Sequence, residues 1–223
     1  PRHGKPVEIN AYWYNVLRSM DFFAGKFKGE LSEAPTDRNY ADMAELAGRS
    51  FRGKFWNAEE GCLKDVLTGE EGESAKAETQ IRCNQIWAVS LPFSLLERKQ
   101  ERQVVETVYR KLYTPLGLRT LDPADPEFKP FYGGRLMNRD LAYHQGTTWV
   151  FPLGGYYLAY LKVNDYSESA KAHARAQLES ITAALREGCI GQLPEIYDGE
   201  RPVSSKGCFA QAWSVGEMLR VYE

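Results

Sequence analysis

The chain has 223 residues, enough for one large domain or two small ones, and a formal charge of −2 from 28 basic and 30 acidic residues. That balance provides no general basic field for nucleic acid or an anionic membrane. Its 43% hydrophobic and 26% charged residues describe a folded globule and exclude a disordered chain. No apolar run approaches the ~20 residues that span a bilayer, and no basic start leads into an apolar stretch as in a secretory signal. The chain starts at Pro1, not at Met, as expected of a piece of a longer polypeptide.

The pattern along the chain is helical. Ile9, Trp13, Val16, Leu17, Met20, Ala24 and Phe27 recur at the spacing of one helix face, and Tyr40, Met43, Ala44, Ala47, Phe51 and Phe55 mark a second helix. Pro35 and Asp37 stand before that second helix as start signals. Residues 57–80 lose the period, and Thr68-Gly69-Glu70-Glu71-Gly72-Glu73 reads as a solvated acidic loop. A third helix is expected over 83–96 with a break at Pro92. Val104, Val105, Val108, Tyr109 and Leu112 mark a fourth, stopped by Pro115 and Gly117. Residues 114–140 hold Pro123, Pro126, Pro130, Gly133 and Gly134, and read as a long loop of the kind that carries function. Helices return at 145–163, 167–187 and 208–222, with an irregular segment over 188–206. No repeat and no linker divides the chain, and no β-alternation persists beyond a few residues. One domain over 1–223 with six to eight helices is expected, its long loops gathered at one end where a site should lie.

The chemistry is first bounded by what is missing. No G-x-S-x-G, G-x-G-x-x-G or phosphate loop is present. Cys62, Cys83, Cys189 and Cys208 form no C-x-x-C, and His3, His144 and His173 show no ligand spacing, so no metal is expected. Without a secretory signal, the cysteines are expected as thiols in a reducing compartment. What remains is acids, amides and aromatics in four loop segments: 4–10, 82–85, 139–149 and 194–199. Sugars suit that mixture, since their hydroxyls bond to carboxylates and amides while their C–H faces lie on aromatic rings. Cleaving a glycosidic bond needs two carboxyl groups. Each residue also has a plain structural reading. Glu195 after Pro194 can support a turn, Asp140 can cap a helix beside Arg139, and His144 can simply pack. Glu8 suits a helix N-terminus, and Trp87, Trp149 and Trp213 sit at apolar helical positions typical of a core.

The phrases G-K-P-V-E-I-N-A-Y-W-Y-N, N-Q-I-W-A-V-S-L-P, T-P-L-G-L-R-T-L, R-D-L-A-Y-H-Q-G-T-T-W, P-E-I-Y-D-G and G-C-x-A-Q-A-W-S-V come in this order. Together they resemble the C-terminal amylo-α-1,6-glucosidase domain of glycogen debranching enzymes, across essentially the whole chain. The family often reads R-P-N-Q where this chain has Arg82-Cys83-Asn84-Gln85. The resemblance implies an all-α (α/α)6 toroid with its site in a funnel at one end. Twelve helices need more than 223 residues, so the chain is expected to be the C-terminal half to two-thirds of the toroid, a partial domain lacking its N-terminal helices.

The resemblance also implies a function: hydrolysis of α-1,6-linked glucose at branch points of glycogen or another α-glucan, with inversion. The family's general base falls on Glu195. Its general acid belongs to a T-W-M-D-type segment before G-K-P-V-E-I-N, and this chain contains no such segment. The chain alone is therefore expected to be nearly inactive, since leaving-group protonation is worth ~10²–10⁴-fold. Lys5, Glu8, Asn84, Gln85, Arg139, Asp140, His144, Gln145 and Trp149 are the candidates for holding glucose or positioning the carboxyls. No cofactor is implied. The expected partners are an α-glucan and the upstream part of the parent chain, in the cytoplasm. The runner-up is another inverting (α/α)6 glycosidase, glucoamylase-like or trehalase-like. A non-catalytic α-glucan-binding module is the alternative outside enzymes.

Overall fold

The computed structural model describes residues 3–27, 39–69, 76–187 and 189–222, with the backbone alone over 76–78. Pro35, Asp37 and the acidic run 70–73 lie outside the described residues.

Strand β1 (Lys5–Pro6) runs directly into α1 (Val7–Lys26). Pro6 sets the entry with φ −68°, and Asn10 Nδ2 donates to the Pro6 carbonyl at 2.7 Å. Helix α2 (Tyr40–Phe55) is capped by Asn39, whose Oδ1 accepts the Asp42 N–H at 2.9 Å. Strands β2 (Trp56–Asn57) and β3 (Cys62–Leu63) form a hairpin, and β4 (Val66–Thr68) lies between β1 and β5 (Lys76–Glu78). A 3₁₀ turn at Cys83–Ile86 leads into α3 (Trp87–Ser90). That helix stops just ahead of Pro92, shorter than the expected 83–96.

Helix α4 (Arg98–Leu112) opens with reciprocal bonds between Glu97 and Gln100, a capping box. Next come β6 (Tyr113–Thr114), β7 (Gly117–Arg119), α5 (Leu136–Ala142) and β8 (Thr148–Trp149). Helix α6 (Phe151–Val163) starts six residues later than its periodicity suggested, because β8 occupies the preceding turn. Helix α7 (Glu168–Ala184), β9 (Ile196–Tyr197), β10 (Ser205–Lys206) and α8 (Ala212–Tyr222) complete the chain.

The all-α expectation is corrected here. Helices dominate, but ten strands of two or three residues form three antiparallel sheets among the described residues. The largest has the order β10-β9-β8-β7-β6. Strands this short carry no period-2 signal, so periodicity cannot reveal them.

Helix packing forms two layers. α1 packs on α3, α3 on α6, and α6 on α8; α2 lies against α1, while α4 and α7 lie against α6. Enclosed this way, α6 has no polar face, and Pro152, Leu153, Tyr156, Tyr157, Ala159 and Leu161 are all buried. Lys162 ties the layers together. Its ammonium donates to the carbonyls of Val89 at 2.8 Å and Leu91 at 3.1 Å. It also stands 3.3 Å from the buried Glu101 carboxylate of α4, as an ion pair and not a directed hydrogen bond.

Helix α1 forms where the sequence places it, but much of its apolar stripe faces outward. Ile9, Trp13 and Val16 are 57%, 50% and 51% exposed, whereas Val7, Ala11, Tyr14 and Leu17 are buried. The helix carries apolar residues on two faces, and only one meets the described core.

Candidate active site

The five-stranded sheet places one carboxylate. β8 pairs with β9 (Trp149 opposite Ile196), and β9 pairs with β10 (Ile196 opposite Lys206). Glu195 sits immediately before β9, held on both sides by its backbone. Its N–H donates to the Cys208 carbonyl at 2.8 Å, and its carbonyl accepts the Val150 N–H at 3.4 Å. Both side-chain oxygens are engaged as well. Oε1 accepts the Tyr143 hydroxyl, and Oε2 accepts the Cys208 backbone N–H at 3.0 Å.

Gly207 makes the second bond possible. It adopts φ +69°, and a Cβ there would stand 2.3 Å from Glu195 Oε2. Each Glu195 oxygen keeps acceptor capacity beyond these bonds, so the carboxylate is oriented and still able to take a proton from water.

Tyr143 is itself fixed. Its carbonyl accepts from Thr147 Oγ1 at 2.7 Å and Trp149 Nε1 at 2.9 Å, and its N–H donates to the Arg139 carbonyl at 2.9 Å. Its ring contacts those of Tyr132, His144 and Trp149 at centroid distances of 5.3, 4.7 and 4.8 Å. Desolvation, then the hydrogen bond to Glu195, pushes the Tyr143 phenol well above its ordinary value, so it remains a donor.

Beside this pair lies a cavity of about 280 Å³. Glu8 of α1, Cys83 and Asn84 of the 3₁₀ turn, Phe151 and Pro152 of α6, and Trp213 of α8 line it from the N-terminal ends of their helices. Arg82, Thr120, His144 and Trp149 complete the lining. The wall is aromatic: His144 stacks on Trp149 at 5.0 Å and 18°, and Phe151 on Trp213 at 4.9 Å and 25°. Trp213 is 46% exposed and offers ring surface to the opening. Glu195 is not among the lining residues; it joins the wall through Tyr143, which touches both His144 and Trp149.

Arg82, itself part of the lining, braces the wall. Its guanidinium donates to the His144 carbonyl at 2.7 Å, to Gln80 Oε1 at 2.7 Å and to Gln145 Oε1 at 2.5 Å. Asp65 stands 3.8 Å from Nε, close enough for charge attraction but too long for a hydrogen bond.

The residues singled out in the sequence divide accordingly. Glu8, Asn84, His144 and Trp149 come together in the cavity lining, and Glu195 adjoins it through Tyr143. Gln85 is 1% exposed, and its amide accepts from the Leu63 N–H and donates to the Arg82 carbonyl. Gln145 is occupied by Arg82. Lys5, Arg139 and Asp140 do not line the cavity, and Lys5 and Asp140 are exposed. Sequence reasoning passed over Tyr143, Thr120, Phe151 and Trp213. Trp213 lies in one of the family phrases, but its helical spacing made a core position the default reading. Among the described residues, no group of three or more His, Cys, Asp or Glu is placed to hold a metal ion, and no helix is long and apolar enough to cross a membrane.

Solved structures of similar fold define the class. The chain matches the GH63 mannosylglycerate hydrolase of Thermus thermophilus, solved in complex with glucose, with TM-score 0.65 and 15% identity, over 97% of this chain and 47% of that one. It matches neutral trehalase of Saccharomyces cerevisiae with TM-score 0.66 and 17% identity, over 96% of this chain and 36% of that one. The fold is thus one that both solved structures share. The model of the amylo-alpha-1,6-glucosidase family matches residues 1–220, and the chain belongs to that family. The glycogen debranching enzyme of Saccharomyces cerevisiae is 25% identical over 273 residues; the match takes in 100% of this chain and 17% of that protein.

Proposed function

We propose that the chain is part of an α-glucan-debranching glycosidase that hydrolyses α-1,6-linked glucose at branch points with inversion. Glu195 is the general base that activates water. The general acid comes from a segment outside these residues, and the 223-residue chain alone is nearly inactive. Family membership supports the substrate class. The observation that carries the mechanism is the Glu195 carboxylate, oriented by Tyr143 and Cys208 against an aromatic cavity wall. Inversion needs a base carboxylate ~6.5–9.5 Å from the acid, with water between.

Trp213 and His144 offer ring faces to a glucose unit, with the buried Trp149 stacked against His144, while Glu8 and Asn84 offer acceptors and an amide to its hydroxyls. An (α/α)6 toroid accounts for the two-layer packing, and the outward apolar stripe of α1 is a face that further helices would cover. The cytoplasm is the proposed location, as the family resemblance implies.

The test is glucose release from a branched limit dextrin by the complete polypeptide and its Glu195→Gln variant. Release by the wild type alone supports the assignment; release by neither contradicts it. A second reading, another inverting glycosidase of this fold, is favoured by the fold the chain shares with a trehalase and a mannosylglycerate hydrolase. Under that reading, trehalose or an α-1,4-linked oligosaccharide is cleaved and the branch stub is not.

A further inference from the structure

We propose that Tyr143 is the positioning residue of the hydrolytic water step, holding Glu195 at the angle from which it takes the proton of the attacking water. The inference rests on the reading of Glu195 as the base. Two donors fix the carboxylate, but they differ in kind. The Cys208 N–H is part of the backbone, while the Tyr143 hydroxyl comes from a residue 52 positions away and is the only side-chain donor to Glu195 among the described residues.

Tyr143 has little freedom to do anything else. Its carbonyl is held by Thr147 and Trp149, and its ring is packed among Tyr132, His144 and Trp149. Two of those rings, His144 and Trp149, line the cavity. One residue therefore links the wall against which a sugar would lie to the carboxylate that must face it. A change in wall position reaches the base through the Tyr143 hydroxyl. The hydroxyl itself neither gains nor loses a proton during the reaction: Glu195 accepts the water proton while Tyr143 keeps donating to Oε1.

The test compares wild type, Tyr143→Phe and Glu195→Gln in the complete polypeptide, on limit dextrin and on α-glucosyl fluoride. Fluoride leaves with little need of an acid, so the second substrate isolates the water-activating step. Tyr143→Phe keeps the ring and removes only the donor. The expected result is a fall in kcat of about 10- to 100-fold on both substrates, the size of a lost hydrogen bond to a charged group. KM and melting temperature should be little changed. Replacing Tyr143 with a ring-fluorinated tyrosine keeps both shape and hydroxyl, and should retain most of kcat even if Tyr143→Phe folds poorly. Tyr166→Phe, an exposed tyrosine at the turn between α6 and α7, serves as the control.

Unchanged kcat in Tyr143→Phe, a change in KM alone, or a loss confined to limit dextrin would each overturn the proposal. So would a fluorotyrosine protein as slow as Tyr143→Phe. An inactive wild type, or an active Glu195→Gln, would instead bring down the reading of Glu195 on which the proposal depends.

Discussion

At the residue scale the site depends on a few positions whose backbone admits no substitute. Gly207 combines a positive φ with close approach to Glu195 Oε2. Alanine there costs about 1–2 kcal/mol in the left-handed region, and its methyl displaces the carboxylate. Gly207→Ala should therefore lower the melting temperature slightly and kcat much more, as differential scanning calorimetry beside an initial-rate assay would show; equal losses in both would contradict the role assigned to Gly207.

The cysteines allow a second residue-scale check. Burial, then Glu60, pushes the Cys62 thiol up to about 11, whereas Cys208 is exposed beside the Glu195 carboxylate. Since the thiolate is the reactive form, iodoacetamide at about pH 8 should label Cys208 and spare Cys62, as peptide mass spectrometry would show.

The family phrase around Glu195 singles that residue out in the sequence. Nothing there singles out Tyr143. It lies in the segment 139–149, but no local pattern says that it meets a residue 52 positions later.

At the element scale, periodicity located α1, α2, α4 and α7 because each is long and amphipathic. It missed α5, a seven-residue helix in a stretch dominated by Pro and Gly, and all the strands, which are too short to alternate. It identified α1 but not which face would be buried, because apolar spacing marks a face without naming what covers it.

The link between α4 and α6 is the element-scale weak point. Glu101 is 2% exposed and pairs with Lys162, whose ammonium also serves the carbonyls that end α3. Removing one member of a buried pair costs about 3–5 kcal/mol. Glu101→Ala should destabilise by about 3 kcal/mol in urea denaturation, while Glu101→Gln, which keeps a polar acceptor, should cost less. Equal costs for the two variants would remove the charge from the explanation.

At the scale of the whole molecule, α1 and α8 both leave large apolar side chains in water: Ile9, Trp13, Val16 and Phe22 on one, Leu219 and Tyr222 on the other. Exposed apolar side chains, of which Ile9, Trp13 and Val16 share one face of α1, favour association. The 223-residue chain expressed alone should self-associate in sedimentation velocity, and a Trp13→Gln/Val16→Gln pair should shift it toward monomer. A monodisperse wild-type chain would mean that these faces need no cover. The fold class was only partly legible at this scale, because the short strands that join the helices leave no period in the sequence.

If Glu195 directs water at a branch-point glucose from the face opposite the bond that breaks, the first glucose released is the β anomer. Proton NMR of glucose freshly released from branched limit dextrin, by the complete polypeptide and by its Glu195→Gln variant, reads this. β-Glucose as the first product of the wild type, and essentially none from the variant, is expected; α-glucose first, or equal release by both proteins, would rule this role of Glu195 out.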